Sequence, residues 1–322
     1  MGRFVIAAST AALLAVCAAP PPAAAQIQGL EIVVPAAPGG GWDQTGRAMQ
    51  NALQENDLAS GIQVVNIPGA GGTIGLAQFV SSKEGQGDAL MTGGLVMLGA
   101  ILTNESPVTL EQVTPLARLT GEYEVIVVPA SSDIQTLDDL IAQFKEDPQS
   151  VSWGGGSAGG TDHILVGLIA KEAGVDPSGI NYVPFAGGGE ALASILGGHV
   201  TAGVSGYQEF AGQIETGDLR PLAISSTERL EGVDIPTLKE QGVDVELTNW
   251  RAVFAPPGIS DEDKQALADT VAQMVESETW QNTLKERAWL DLYLPPDEFA
   301  QFLEQDRERV ETVLKDIGLV QQ

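Results

Sequence analysis

Four times along this chain a short apolar run breaks into clustered glycines and then resumes with helical spacing. Residues 30–34 run into Pro35-Ala36-Ala37-Pro38-Gly39-Gly40-Gly41 before a helical segment at 42–54. Residues 63–67 run into Pro68-Gly69-Ala70-Gly71-Gly72 before 73–81, with Thr73 the expected helix cap. Val151-Ser152-Trp153 enters Gly154-Gly155-Gly156-Ser157-Ala158-Gly159-Gly160 ahead of a helix from Thr161 or Asp162 to Ala173. The fourth unit leads from 181–184 through Gly187-Gly188-Gly189 to a helix at 190–196. Strands alternating with helices argue for parallel α/β sheets.

Further strands are read at 89–92, 125–129, 201–204, 221–225 and 252–255, and Thr136 with Asp139 forms a capping box for a helix reaching Lys145. The units fall into two groups, 27–124 and 125–244, which suggests two lobes. Helices at 260–275 and 297–314, the second with Phe299, Phe302, Leu303, Val310 and Val313 on one face, are not assigned to a lobe by periodicity.

A loop that ends a strand and opens a helix presents unpaired N–H groups and the positive end of the helix dipole, so it is a ready anion site. Glycine is 38 of the 322 residues, and in parallel α/β lobes these loops gather at the carboxyl ends of strands, where ligands bind. Any one such loop is as readily explained by tight packing; four together favour a ligand. The net charge of −27 opposes nucleic acid and anionic membrane surfaces as partners.

The first 25 residues read as an export signal: Arg3, an apolar run at 4–19 too short to span a bilayer, and Ala23-Ala24-Ala25 as cleavage site. Cleavage is expected after Ala25. A lipoprotein signal on Cys17 is the weaker reading, since Leu14-Ala15-Val16 places a large residue before it. Cys17 is the only cysteine, so the exported chain is expected to have neither disulfide nor thiolate chemistry.

Catalytic sets are poor. Outside the leader the histidines are His163 and His199, and no HExxH or P-loop motif occurs, so no metal and no cofactor is expected. Gly155-Gly156-Ser157-Ala158-Gly159 reads as a nucleophile elbow and, with His163 and Asp162, is the best case for a secreted serine hydrolase. Only His199 lies far enough downstream of Ser157 for the usual triad order. Gly154-x-Gly156-x-x-Gly159 with Asp176 matches a dinucleotide fingerprint, a weak match in so glycine-rich a chain. Asp43 and Arg47, four apart, are read as a salt bridge at a helix start, and Arg251 as a salt-bridge residue before a ligand clamp. Trp42 sits beside anything held by the preceding glycines; Tyr207, near Ser205, Gly206 and Glu209, either reaches the crevice or packs on a neighbouring helix.

The ordered set VVPAAPGGGWDQTGRAMQ at 33–50, NIPGAGGTIG at 66–75, WGGGSAGGTDHIL at 153–165, YVPFAGGGEAL at 182–192, GDLRPLAIS at 217–225 and NWRAVFAPPG at 249–258 resembles the solute-binding receptors of tripartite tricarboxylate transporters, the TctC or Bug family. The resemblance implies a two-lobed α/β periplasmic binding protein, type II-like, with a ligand cleft between the lobes. It divides the chain into a signal peptide at 1–25, lobe one at 26–124 and 245–322, and lobe two at 125–244. It also implies a carboxylate held by the amides of Gly39, Gly40, Gly41, Trp42, Ala70, Gly71, Gly72 and Thr73. A second polar end would be met by Ser157, Ala158, Gly160, Thr161, Gly187, Gly188 and Gly189, with Ser205 and Tyr207 nearby. Amino-acid-binding relatives look as though they keep an Asp where Ser205 stands, which favours a tricarboxylate or dicarboxylate here. The implied partners are that ligand and membrane permease subunits, with the receptor working as a monomer by hinge closure; a carboxylate sensor for a signalling partner is the alternative.

Overall fold

Ile32, Val33 and Val34 are buried on both faces, as a central strand of a covered parallel sheet must be. In the computed structural model, which describes residues 26–185 and 188–321, the chain opens on β1 (Ile27–Gln28) and β2 (Glu31–Val34). Then come α1 (Gly41–Glu55), β3 (Ala59–Ser60), β4 (Gln63–Asn66), α2 (Thr73–Ser82), β5 (Ala89–Gly94) and α3 (Leu95–Thr103). The long strand β6 (Thr114–Pro129) leads to α4 (Leu137–Glu146), β7 (Ser152–Gly155), α5 (Thr161–Ala173), β8 (Asn181–Pro184) and α6 (Gly188–Leu196). Next are β9 (Ala202–Gly206), α7 (Tyr207–Glu215), β10 (Leu219–Ile224) and β11 (Thr248–Ala255). The chain ends on α8 (Asp261–Glu276), α9 (Glu278–Glu286), β12 (Leu290–Leu294) and α10 (Pro296–Asp316). The expected leader with Cys17, and Gly187, lie outside the described residues.

The main sheet runs β4-β2-β5-β11-β6-β9-β7-β8. Pairing is parallel among β4, β2 and β5 and among β8, β7 and β9, as the strand–helix alternation predicts. The two parallel groups are joined by antiparallel strands. β11 pairs with β5 and β6, and β6 changes partners along its length, from β11 and β12 up to Tyr123 to β9 and β10 from Glu124 onward. The strand expected at 125–129 therefore begins at Thr114. Pro115, Arg118, Gly121, Glu122 and Glu124 interrupt its apolar pattern, yet Glu122 and Glu124 are buried.

The C-terminal helices return to the first group: α8 and α10 pack on β6, α8 and α9 on α1, and α10 on α3. Trp250 of β11 anchors α10, its indole N–H donating to Asp306 at 2.7 Å and its ring meeting Phe299 and Phe302 edge-on. α10 also meets the second group, where Ile317 fills the space above Gly167 of α5 and Lys171 pairs with Asp316. Among the described residues no helix is long and apolar enough to cross a membrane.

Candidate functional site

Four helices begin at one place. The starts of α1, α2, α5 and α7 converge on a cavity of about 470 Å³, and each has a glycine as N-cap: Gly40, Gly72, Gly160 and Gly206. None of the four receives a side-chain cap. Away from the cavity, α4, α8 and α9 are capped by Thr136, Ser260 and Ser277. The cavity-facing helices thus leave first-turn N–H groups without a side-chain acceptor, with the positive dipole ends aimed at the same volume.

The first wall of the cavity is Pro35, Ala36, Ala37, Gly40, Gly41 and Trp42, then 68–72 and Val96; the second is Gly156, Ser157, Gly160, Thr161, Asp162, Ser205, Gly206 and Glu209. Asn249 and Arg251 of β11 complete the lining. Of the residues expected in a site, the structure brings Gly40, Gly41, Trp42, Ala70, Gly71, Gly72, Ser157, Gly160, Thr161 and Ser205 to this lining. Gly39, Thr73, Ala158, Gly189 and Tyr207 are not on it. Tyr207 packs against the small core cluster around Val125 and Phe210. Thr73 is the first helical residue rather than the cap: Gly72, at φ +95°, holds that position, and the Thr73 hydroxyl donates to the Ala70 carbonyl at 3.0 Å. A side chain at Gly72 would run into the Trp42 ring, so the conformation and the close approach both require glycine.

The loops are pinned from behind. Asp43, almost wholly buried, accepts from Gly39 N at 2.8 Å, Asn66 Nδ2 at 3.0 Å and Arg47 Nε at 2.9 Å, which ties the first glycine loop to α1 and β4. Burial works to raise its pKa, but the bonds from Arg47, Gly39 and Asn66 hold it below the ordinary value. In the second wall Asp162 accepts from Gly156 N, and the Tyr182 hydroxyl donates to Gly156 O at 2.9 Å.

Arg251 forms a buried ion pair with Glu122, beneath Gly41 on one side and Gly206 on the other. Burial and the charge of Arg287 push the Arg251 pKa down to about 9, still above neutrality. Its guanidinium also lies 5.1 Å from the Trp289 ring centroid. The salt-bridge reading is thus the one the structure supports, and the arginine reaches the cavity wall as well.

The hydrolase reading loses His163 as its base here, and the dinucleotide reading loses its acid. His163 is stacked on Tyr182 with centroids 4.0 Å apart, its Nδ1 accepts from Gly159 N at 3.2 Å, and burial pushes its pKa down to about 4. A base poised near neutrality is what Ser157 would need. Asp176 precedes β8 and accepts from Ser178 N, whereas the glycine loop follows β7; since the two strands are parallel, the acid lies at the opposite end of the sheet.

Glu124, Asp162, Glu209 and Asn249 are the main members that sequence reasoning left without a ligand role. Glu124 is fully buried behind the second wall, where burial first, and then the charge of Asp162, drive its pKa well up. Asp162 is raised by burial, and Glu209 is pushed up to about 7 by burial and by Asp162. The available signal was an acid one or two residues past a glycine-capped helix start.

A two-lobed α/β molecule with a crevice fed by helix starts is a solute-binding receptor in architecture. The chain belongs to the tripartite tricarboxylate transporter family receptors, TctC, whose family model matches residues 46–319. It is 28% identical to BugT of Bordetella pertussis over 294 residues, 90% of this chain and 89% of that protein. Among solved structures it is similar to a TctC solute-binding protein from Polaromonas, at 28% identity, TM-score 0.68 and coverage of 89% and 98%. An adipate-bound protein of R. palustris is also similar, at 25% identity, TM-score 0.81 and coverage of 90% and 97%.

Proposed function

We propose that this chain is an exported receptor that captures a small carboxylate between two lobes and presents it to the permease subunits of a tripartite tricarboxylate transporter. The carrying observation is the convergence of four glycine-capped helix starts without side-chain caps on one cavity. Free N–H groups and aligned dipoles bind an anion locally even in a chain of charge −27, because distant charges are screened beyond roughly 10 Å. A carboxylate is the anion of choice given the family and the adipate carried by a 25%-identical neighbour. A dicarboxylate or tricarboxylate is the finer reading that the resemblance favours.

In this reading lobe one is 26–124 with 245–322 and lobe two is 125–244; β6 crosses between them, and the chain returns to lobe one just before β11. Ligand bridging both walls stabilises the closed form, which the permease recognises. The receptor is a periplasmic monomer, released by cleavage after Ala25, and it does no chemistry on its ligand. A thermal-shift panel of citrate, shorter di-acids, aromatic acids and amino acids tests this, since a ligand of the folded form must raise the melting temperature. A rise with one carboxylate class is expected; a flat response to every carboxylate overturns the reading.

A further inference from the structure

Besides the sheet, a helical seam joins the two groups of elements. Gly160, Ile164, Gly167 and Lys171 recur at helical spacing along one face of α5, from its N-cap to its last turn. That face meets Val96 and Gly99 of α3 and, further along, Ile317 and Asp316 at the end of α10. Two of the close approaches fall on glycines inside helices: a Cβ at Gly99 would run into the Gly159 carbonyl, and one at Gly167 into the Ile317 side chain. Glycine weakens a helix from within, so both positions give up helix stability for close contact between the groups.

The seam can part without breaking the backbone ladder. Among the described residues no backbone hydrogen bond joins α5 to α3 or α10. The ion pair at the far end, Lys171 with Asp316, is exposed and adds little, so the seam is held by apolar packing around the buried Ile164 and Ile317. By contrast, β6 is hydrogen-bonded into both groups, which makes the sheet the permanent joint and the helical seam the separable one.

At its near end the seam reaches the cavity. Val96 and Gly160 both line it, and Gly159, whose carbonyl meets Gly99, belongs to the same loop as the lining residue Ser157. A solute drawn against this loop and the seam behind it favour the same arrangement of the two walls, so each strengthens the other.

We infer that the α5 seam is a latch, parting as the lobes open and closing again over a bound solute. This rests on the two-lobed receptor reading and adds to it the contact that holds the closed form.

Gly167→Cys combined with Ile317→Cys tests it. Cys17, the chain's one cysteine, falls in the expected leader, and a Cβ at position 167 would lie 3.3 Å from that of Ile317, close to disulfide spacing. In the leader-free chain the oxidised pair should keep the seam shut. Stopped-flow tryptophan fluorescence with citrate, or with the panel acid that raises the melting temperature most, should then show uptake at least about tenfold slower than in the same sample after reduction. Small-angle X-ray scattering needs no solute, and reduction of the ligand-free pair should enlarge its radius of gyration. If the pair does not fold or oxidise, Gly99→Val takes its place, because its side chain meets the Gly159 carbonyl; it should enlarge the radius relative to wild type. An unchanged radius, or equal uptake rates, overturns the latch and leaves the receptor reading standing. Failure of wild type to bind any carboxylate of the thermal-shift panel overturns the receptor reading, and the scattering result then decides the latch alone.

Discussion

At Gly41 a Cβ would fall on the guanidinium of Arg251, so the first glycine loop and the buried ion pair are built against each other. Gly41→Ala must push Arg251 aside; the expected cost is about 1 to 3 kcal/mol of stability together with at least about a tenfold loss of ligand affinity. Denaturation midpoints and titration calorimetry check the two parts separately. The pair itself makes a sharper case, because Arg251→Ala leaves Glu122 buried and uncompensated, at an expected cost of about 3 to 5 kcal/mol. Arg251→Met combined with Glu122→Gln should recover much of that loss, and a double variant as unstable as the single one would contradict this account. Sequence reading found one partner only. Arg251 announces itself as a lone cation before an apolar strand, whereas Glu122 and Glu124 stand where a charge ordinarily marks a solvent-facing position. Their burial depends on β6 being covered by β11 on one side and β9 on the other, which is long-range information. Asp43 with Arg47 was legible because a four-residue spacing on a helix is local.

The glycine-capped helix starts at the cavity differ from the side-chain-capped starts of α4, α8 and α9, and the difference separates binding from stability. Thr136 and Asp139 close a reciprocal capping box on α4, readable from the sequence and present in the structure at 3.2 and 3.0 Å. Thr136→Ala should cost about 1 kcal/mol and leave ligand affinity untouched. At Gly40 the opposite substitution is informative: its backbone is extended, and a Cβ there meets nothing closer than 3.8 Å, so a side chain fits. Gly40→Asp would cap α1 and satisfy the N–H groups reserved for ligand. Its melting temperature should rise or hold while carboxylate binding is lost, as thermal denaturation and calorimetry on one sample would reveal; unimpaired binding would mean that the α1 start does not hold the anion. The strand–glycine–helix units were legible because apolar runs, glycines and helical spacing are all local. Thr73 was misplaced as a cap because the turn at Gly71 and Gly72 takes positive φ, a choice the residue types permit without announcing. The front of β6 was missed because a strand that changes neighbours midway has no single alternating pattern.

The whole molecule carries buried acids whose pKa values are raised and one buried histidine whose pKa is lowered, and the two act oppositely on stability. His163 has its pKa lowered by burial from 6.5 to about 4, so its contribution is present above pH 6.5 and is lost as pH falls through that interval. Glu209, raised from 4.5 to about 7, contributes fully below pH 4.5, and that contribution is lost as pH rises through 7. Glu124 and Asp162 are raised as well and act in the same sense as Glu209. Asp43, Asp139 and Glu240, held below their ordinary values by hydrogen bonds, add stability that disappears only in stronger acid. Three acids against one histidine, with a net charge of −27 that grows more repulsive as protons leave, place the stability maximum on the acid side of neutrality, at about pH 5 to 6. A melting-temperature series across pH without ligand checks this, and a curve still rising between about pH 6 and 8 would refute it. Glu209→Gln isolates one accessible contribution: at about pH 8 it should be more stable than wild type by roughly 3 kcal/mol, the free energy of the Glu209 shift, and the two curves should meet below about pH 4.5. The same carboxylate faces the cavity, so its charge at and above neutral pH destabilises the ligand-free protein at the site itself.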